Sequence, residues 1–243
     1  MAIVNSVRFP YIYSLMAVAH AEHIEHRISE ACRRAGRSRE GVTLIAVTKT
    51  LPPDVINAAL QAGIPDIGEN RVQEYLRKQP SLGPHRFHMI GHLQRNKVRQ
   101  IISACSMIHT VDSIALADEI DRRSGEIGRV TPVLIEVNTS AEESKHGVAP
   151  GEVYALAAYL RGCAHVQLRG LMTVAAFLDD LEQVRPMFRQ LRVLRDSLEA
   201  QHAGLVLPDL SMGMSHDFEV AIEEGATLIR IGTALFGARE DVH

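Results

Sequence analysis

The chain has 243 residues, 46% hydrophobic and 23% charged, which is the balance of an ordinary soluble globular protein. Its 26 Lys and Arg residues against 29 Asp and Glu residues give a formal charge of −3, which argues against a protein that binds nucleic-acid backbones. No apolar run approaches the roughly 18 residues of a membrane-spanning helix, and the 3 cysteines are widely spaced. We therefore expect a cytoplasmic protein with reduced thiols, no nucleic-acid partner and no membrane partner.

The N-terminal segment predicts a flexible extension over residues 1–13, followed by an amphipathic helix. The apolar positions of that helix are Leu15, Val18, Ile24, Ile28 and Ala31. The start of the chain loosely imitates a signal peptide. Its only early basic residue, Arg8, is however followed at once by Pro10 and a weak apolar run. We assign residues 14–243 to one domain.

Short apolar runs then alternate with longer stretches of helical periodicity. The runs are 43–48, 64–68, 87–91, 107–111, 133–138, 166–173, 210–213 and 228–232, and the helical stretches include 53–62, 94–104, 113–123, 152–160 and 181–202. This alternation predicts βαβ units and a parallel sheet. Eight repeats in about 250 residues favour an α/β fold of the (β/α)8 TIM-barrel type with an extra N-terminal helix. An open doubly wound sheet stays an alternative, because periodicity does not show closure.

A lysine at the end of the first strand is the first candidate for chemistry. In such a barrel the active face lies at the C-terminal ends of the strands, and Lys49 follows the apolar residues 44–47 by two positions. A barrel interior disfavours a charged ammonium, and Schiff-base chemistry requires the neutral amine. A solvated lysine in a βα loop is the alternative.

The last two strands predict a phosphate site. Small and hydroxyl residues lie between the seventh strand and the next helix, in the segment 211–218 that includes Met214 and Ser215, and follow the eighth strand at Gly232 and Thr233. Loops after these strands commonly bind phosphate in barrels, because backbone N–H groups and a helix N-terminus favour an anion there. The alternative is structural: Ser215 or Asp217 is only a helix cap and Gly232 only a tight turn. Together with Lys49, a phosphate site points to pyridoxal 5′-phosphate (PLP).

Seven ordered blocks of the sequence, spanning about 42–239, resemble the pyridoxal-phosphate homeostasis protein family. They are 44–50 (LIAVTKT), 67–74 (IGENRVQE), 88–97 (HMIGHLQRNK), 144–147 (SKHG), 169–172 (RGLM), 211–215 (SMGMS) and 229–239 (IRIGTALFGAR). This family shares its barrel with the N-terminal domain of alanine racemases. The resemblance thus implies the same fold and a PLP cofactor.

The resemblance also implies a role for each site residue. Lys49 would form the internal aldimine, and Ser215 with the Gly232 and Thr233 loop, next to Met214, would hold the phosphate. Arg230 would face the pyridine nitrogen, and Asn70 would lie near the ring. A guanidinium only donates a hydrogen bond to a neutral nitrogen, so carbanions would be poorly stabilised.

The function implied is a PLP binder that buffers and delivers the cofactor within the cell. Only four residues follow Arg239, whereas alanine racemases add a second domain with an opposing base. The implied partners are PLP and apo PLP-dependent enzymes, and the implied state is a monomer or weak dimer. The alternative is a racemase or lyase with a second acid/base, for which Lys145, His92 and Tyr75 are candidates. A protein-interaction module without cofactor is the third hypothesis.

No metal site is predicted from the sequence. His85, His88 and His92 cluster around the third strand, but they lack a recognised ligand spacing. We interpret His88 and His92 as groups that line the site or support it. Lys145, in the loop after the fifth strand, either approaches an anionic ligand or is a plain loop lysine.

Overall fold

Eight parallel strands close into a barrel in chain order. The computed structural model describes residues 4–140, 142 and 146–237, with side chains from residue 19 onward. The strands are β1 (Thr43–Val47), β2 (Asp66–Glu69), β3 (Arg86–Met89), β4 (Cys105–Val111), β5 (Thr131–Glu136), β6 (Val166–Met172), β7 (Asp209–Met214) and β8 (Leu228–Ile231). Strand β1 closes the ring, because Ala46 pairs with Ile67 of β2 on one side and with Ile231 of β8 on the other. The barrel prediction is confirmed, and the open sheet is excluded.

Helices connect the strands and cover the outside of the barrel. Those within the described residues are α1 (Val4–Arg34), α2 (Pro53–Gln61), α3 (Val72–Lys78), α4 (Val98–Ile101), α5 (Ile114–Glu126), α6 (Val153–Arg161), α7 (Arg185–Gln201), α8 (Phe218–Glu223) and α9 (Thr233–Phe236). The predicted helix over 94–104 is a 3-10 turn at 95–97 followed by the single turn of α4. No helix in the described part of the chain is both long and apolar enough to span a membrane.

Helix α1 begins earlier than the sequence indicates. It starts at Val4 and includes Pro10, whereas the sequence analysis placed residues 1–13 ahead of the helix. Its C-terminal half buries Ile24 and Ile28 completely and packs against α2, α8 and α9. The predicted flexibility of the extension stays a prediction.

The barrel has two distinct interiors. The large apolar core lies between strands and helices, whereas a small cluster of Ile45, Leu134, Met172 and Leu228 fills the space inside the ring. Side chains two positions apart in a strand share a face, so Arg230 follows Leu228 into the barrel, and Glu136 follows Leu134. The end of the barrel that carries the strand C-termini, called the mouth below, is therefore polar inside.

Strands β6 and β7 approach too closely for any side chain at Gly170. A Cβ atom there would lie 1.7 Å from the carbonyl oxygen of Asp209, which is paired with Gly170 in the ladder. The glycine is thus required by the close approach of two backbones.

Gly170→Ala should destabilise the protein by at least about 3 kcal/mol, because the clash is with backbone and forces the two strands apart. Gly151→Ala is the matched control, since a Cβ atom there meets nothing within 4 Å. Urea unfolding of both variants measures the difference, and equal stabilities would contradict the prediction.

Candidate functional site

The seven predicted site residues all lie at the mouth, at or just after the ends of β1, β2, β7 and β8. They are Lys49, Asn70, Met214, Ser215, Arg230, Gly232 and Thr233. Strands β7, β8 and β1 are consecutive in the ring, and Arg230 pairs with Met214 on one side and with Ile45 on the other. Asn70 is half-buried and follows β2, one strand further round the ring. Its contact with a cofactor ring stays a prediction.

The loops after β7 and β8 are joined by a serine hydroxyl. Ser215 Oγ accepts the backbone N–H groups of Gly232 and Ala234, each at 3.1 Å. Asp217 secures the preceding turn, because the Met214 N–H donates to its carboxylate at 2.6 Å. The hydroxyl thus lies at the N-terminus of α9, beside the exposed Thr233. Hydroxyls and backbone N–H groups at a helix start are the donors that a phosphate group uses.

The backbone on both sides of Lys49 is held by an ion cluster that sequence analysis missed. Lys78 Nζ donates to the Thr48 carbonyl at 2.8 Å, to Glu69 at 2.8 Å and to Glu74 at 2.6 Å. Thr48 Oγ1 donates to Glu69 at 2.7 Å, and Glu74 also accepts the N–H of Thr50. The i,i+4 spacing of Glu74 and Lys78 is the only sequence signal of this cluster.

The cluster also fixes an unusual backbone conformation. Thr50 has φ +64°, in the left-handed region that non-glycine residues rarely adopt. Burial raises the pKa of Glu69, whose side chain is 1% exposed. For Glu74, hydrogen bonds from Lys78 and from the Thr50 N–H outweigh burial and hold its pKa below the usual value. The ionised Glu74 therefore stabilises the turn that contains Lys49, through its hydrogen bond from the Thr50 N–H.

Lys49 itself is exposed, so the ammonium is not buried as the sequence argument expected. Strand β1 ends at Val47, so Lys49 lies in the loop beyond the strand, next to the left-handed Thr50. The lysine lies at the rim of the mouth, where solvent reaches it.

Arg230 is the one arginine buried inside the barrel among the described residues, with 4% of its surface exposed. Its Nη1 donates to Ser211 Oγ at 2.6 Å and its Nη2 to the Thr173 carbonyl at 2.8 Å. Burial lowers the pKa of Arg230 to about 10, which still leaves the guanidinium charged at neutral pH. Its remaining N–H groups can only donate hydrogen bonds, because a guanidinium cannot accept one.

A chain of hydrogen bonds leads from Arg230 across the barrel. Ser211 Oγ lies 2.9 Å from His109 Nδ1, and His109 Nε2 lies 2.9 Å from His88 Nδ1. His88 Nε2 lies 3.0 Å from Asp66 Oδ1 at the opposite end of the barrel. We call these residues the interior chain.

The hydrogen bonds at the two ends of the interior chain have fixed directions. Burial is outweighed by hydrogen bonds from His88 and Arg86, so the pKa of Asp66 is below its usual value and the carboxylate accepts from His88 Nε2. At the other end Ser211 Oγ accepts from Arg230 Nη1. Burial lowers the pKa of His109 well below its ordinary value, so it is neutral, with one ring nitrogen as donor and the other as acceptor.

Glu136 is a buried carboxyl at the mouth that the sequence analysis did not single out. Its Oε2 is buried without a hydrogen-bond partner among the described residues, and the residue is 6% exposed. Burial and the charge of Asp112 raise the pKa of Glu136 to about 7, although Arg230 opposes them. Glu136 is therefore partly protonated at neutral pH.

The other candidate residues of the sequence analysis lie in different parts of the structure. His88 lies in the interior chain, and His92 lies at the mouth, with Nδ1 3.3 Å from Asp112 Oδ2. His85 and Tyr75 lie outside the barrel wall, where Tyr75 stacks on Phe87 and its hydroxyl contacts His85 Nε2 at 3.2 Å. Tyr75 is 1% exposed and cannot act at the mouth, so that candidate is wrong. Lys145 falls outside the described residues.

Comparison with known proteins identifies the class of barrel. The family model of the alanine racemase N-terminal domain matches residues 19–240. An alanine racemase of Clostridium difficile superposes with a TM-score of 0.71 at 15% identity, covering 89% of this chain and 56% of that one, which shows the fold alone. The protein is thus a barrel of the alanine racemase N-terminal class.

Relatives with higher sequence identity show the family to which the chain belongs. The pyridoxal phosphate homeostasis protein of Aquifex aeolicus is 46% identical over 226 residues, which cover 92% of this chain and 99% of the relative. The structure of PipY from Synechococcus elongatus, solved with PLP bound, superposes with a TM-score of 0.76 at 38% identity and covers 86% of this chain and all of that one. The chain belongs to the pyridoxal phosphate homeostasis protein family.

Lys78→Met should destabilise the protein by about 3–5 kcal/mol, because it leaves the buried Glu69 without its cation. Chemical denaturation measures the loss, with Lys97→Met in the half-buried 3-10 turn after β3 as control. A loss no larger than that of the control would show that the ion cluster does not hold the Lys49 turn.

Glu136→Gln should change how stability depends on pH. The folded pKa of about 7 exceeds that of an unfolded glutamate, so the wild type loses stability as the pH rises from about 4.5 to 7. The variant lacks this loss and should be more stable than the wild type by about 2–3 kcal/mol at pH 8, with the gain vanishing near pH 4.5. Denaturation curves across this range test the sign, with exposed Glu22→Gln as control.

Proposed function

We propose that this protein binds PLP at the barrel mouth, buffers it in the cytoplasm and delivers it to apo PLP-dependent enzymes. The observation that carries the proposal is the joint placement of a presented lysine after β1 and a hydroxyl-lined loop pair after the adjacent β8 and β7. Membership in a family of pyridoxal phosphate homeostasis proteins supports it, as does PipY, a relative solved with PLP bound.

The residues at the mouth fit the three chemical parts of PLP. A phosphate needs several hydrogen-bond donors, and Ser215, Thr233 and the start of α9 offer hydroxyl and N–H groups. A pyridine nitrogen needs a donor or a proton, and the buried Arg230 supplies N–H groups. An aldehyde needs an amine, and Lys49 is the lysine at the rim of the same side of the ring.

Lys49 would hold the cofactor covalently. Its Nζ attacks the aldehyde carbon, the C=N bond replaces C=O, and one water molecule leaves. The reverse reaction needs only water at the same carbon, and the exposure of Lys49 admits it. A reversible bond at an accessible rim suits a protein that stores the cofactor and gives it up.

Arg230 suits a protein that holds and exchanges the cofactor, or a racemase that limits side reactions. Bound PLP supplies an electron sink whose strength depends on protonation of its ring nitrogen. The guanidinium keeps its own proton, since its pKa is about 10, and the interior chain holds it in place. The ring nitrogen would then accept a hydrogen bond without being protonated, which weakens the sink.

A PLP-dependent racemase or lyase is the second candidate function. It needs a further acid/base at the mouth, and His92 and the partly protonated Glu136 are the described groups that qualify. Robust multiple-turnover racemisation or lyase activity on an amino acid, lost in His92→Gln or Glu136→Gln, would favour this candidate over the carrier.

The absorption spectrum of the protein with added PLP tests cofactor binding. We expect a visible band of lysine-bound PLP that borohydride fixes to the chain, because reduction converts C=N to a stable amine. Lys49→Ala should lose the fixed cofactor and Lys97→Ala should retain it, with mass spectrometry locating the adduct. A colourless protein that gains no adduct would refute the proposal and favour the interaction module.

A further inference from the structure

Three potential metal ligands from different loops meet at the mouth. His92 follows β3, Asp112 follows β4 directly, and His146 lies in the loop after β5. Their candidate ligand atoms all lie within 4.8 Å of one another. These strands are neighbours in the ring, and β4 lies opposite β8, so this cluster is across the mouth from Ser215 and Arg230.

We propose that His92, Asp112 and His146 form a binding site for a divalent transition-metal ion of the zinc class. Two imidazoles and one carboxylate are a donor set of open zinc and non-haem iron sites, whereas Ca²⁺ and Mg²⁺ prefer oxygen ligands throughout. Three protein ligands leave at least one coordination position for water or a small ligand. The sequence analysis expected no metal, because these ligands lie 20 and 34 residues apart and form no local spacing.

Two of the loops are fixed close to their ligands. Thr110 Oγ1 donates to the Gly91 carbonyl at 2.8 Å, which ties the residue before His92 to the end of β4. That same strand end carries Asp112. The donor positions of His92 and Asp112 are thus set by backbone contacts.

The third ligand is secured by the residues that follow it. The loop returns to β5 at Val148, whose N–H donates to the Glu136 carbonyl at 2.9 Å and whose carbonyl accepts from the Asn138 N–H at 2.9 Å. Gly147, with φ +105°, lies so close to this strand that a Cβ atom would be 2.9 Å from the Asn138 nitrogen. His146 is therefore anchored at its C-terminal side while its ring stays exposed.

One ring rotation separates the present arrangement from a coordinated one. The His92 and His146 rings are stacked, with centroids 4.4 Å apart and planes 12° apart, so their nitrogen lone pairs do not converge. Coordination would require the exposed His146 ring to leave the stack. The 3.3 Å separation of His92 Nδ1 and Asp112 Oδ2 already matches the spacing of two ligands on one zinc ion, roughly 3.3 Å.

The surroundings include a further carboxyl group. Strand β5 ends at Glu136, whose Oε2 is buried without a hydrogen-bond partner among the described residues. A cation at the mouth would offset the cost of burying this oxygen.

Calorimetric titration of Zn²⁺ into the full chain, prepared without an affinity tag or added PLP, tests the proposal. We expect one ion per chain and at least about a tenfold loss of affinity in His92→Gln, His146→Gln and Asp112→Asn. His165→Gln is the matched control, because His165 is as exposed as His92 (42% of each side chain) and lies near Asp121 but outside the three-ligand group. Equal affinities in all four variants, or binding that does not saturate at one ion, would overturn the proposal.

Cobalt(II) gives a second readout that a merely structural effect would not produce. Direct coordination by protein ligands in a four- or five-coordinate site should give intense visible absorption, lost in His146→Gln. The weak spectrum of the hydrated ion would refute coordination. The site does not rest on cofactor binding, so Lys49→Ala should leave both metal measurements unchanged.

Discussion

The buried charge of Arg230 is the constraint around which the barrel interior is built. A guanidinium inside a ring of eight strands loses its hydration, and only nearby acceptors make that loss tolerable. Ser211 and the Thr173 carbonyl supply two of them, and each further member of the interior chain satisfies the polar group before it until the ionised Asp66 ends the series. The apolar filling inside the ring is correspondingly small.

The mouth divides into three sectors with different physical properties. The β1–β2 sector is ionic and rigid, because Lys78 ties together the Thr48 carbonyl, Glu69 and Glu74. The β7–β8 sector presents hydroxyl and N–H donors, which suit an anion. The β3–β5 sector holds imidazoles and carboxylates, which suit a cation. Donors that suit an anion and ligands that suit a cation therefore lie on opposite sides of the same mouth.

The sequence predicted the strands well but not the contacts between their side chains, because strands give a local pattern and those contacts join residues that are far apart in the chain. Parallel strands buried on both faces appear as continuous apolar runs, so all eight were detected, and the strand-end rule then located Lys49, Ser215 and Thr233. The role of Arg230 came only from the resemblance to the family. A single polar residue within such a run, such as His109 or Ser211, gives no local signal. These two are 102 residues apart, and only closure of the ring brings them to 2.9 Å. The ion cluster at Lys78 was missed similarly, since its acceptors lie on three elements.

The exposure of Lys49 separates a carrier from a typical enzyme on physical grounds. Catalytic sites exclude water, because a dry cavity strengthens electrostatic stabilisation and protects reactive intermediates. Here the turn after β1 is tied to Glu74 through the Thr50 N–H, and Lys49 within it is exposed. A fixed backbone with an exposed residue gives a defined attachment point that water reaches. If Lys49 holds PLP as proposed, the same geometry that binds the cofactor also lets water release it.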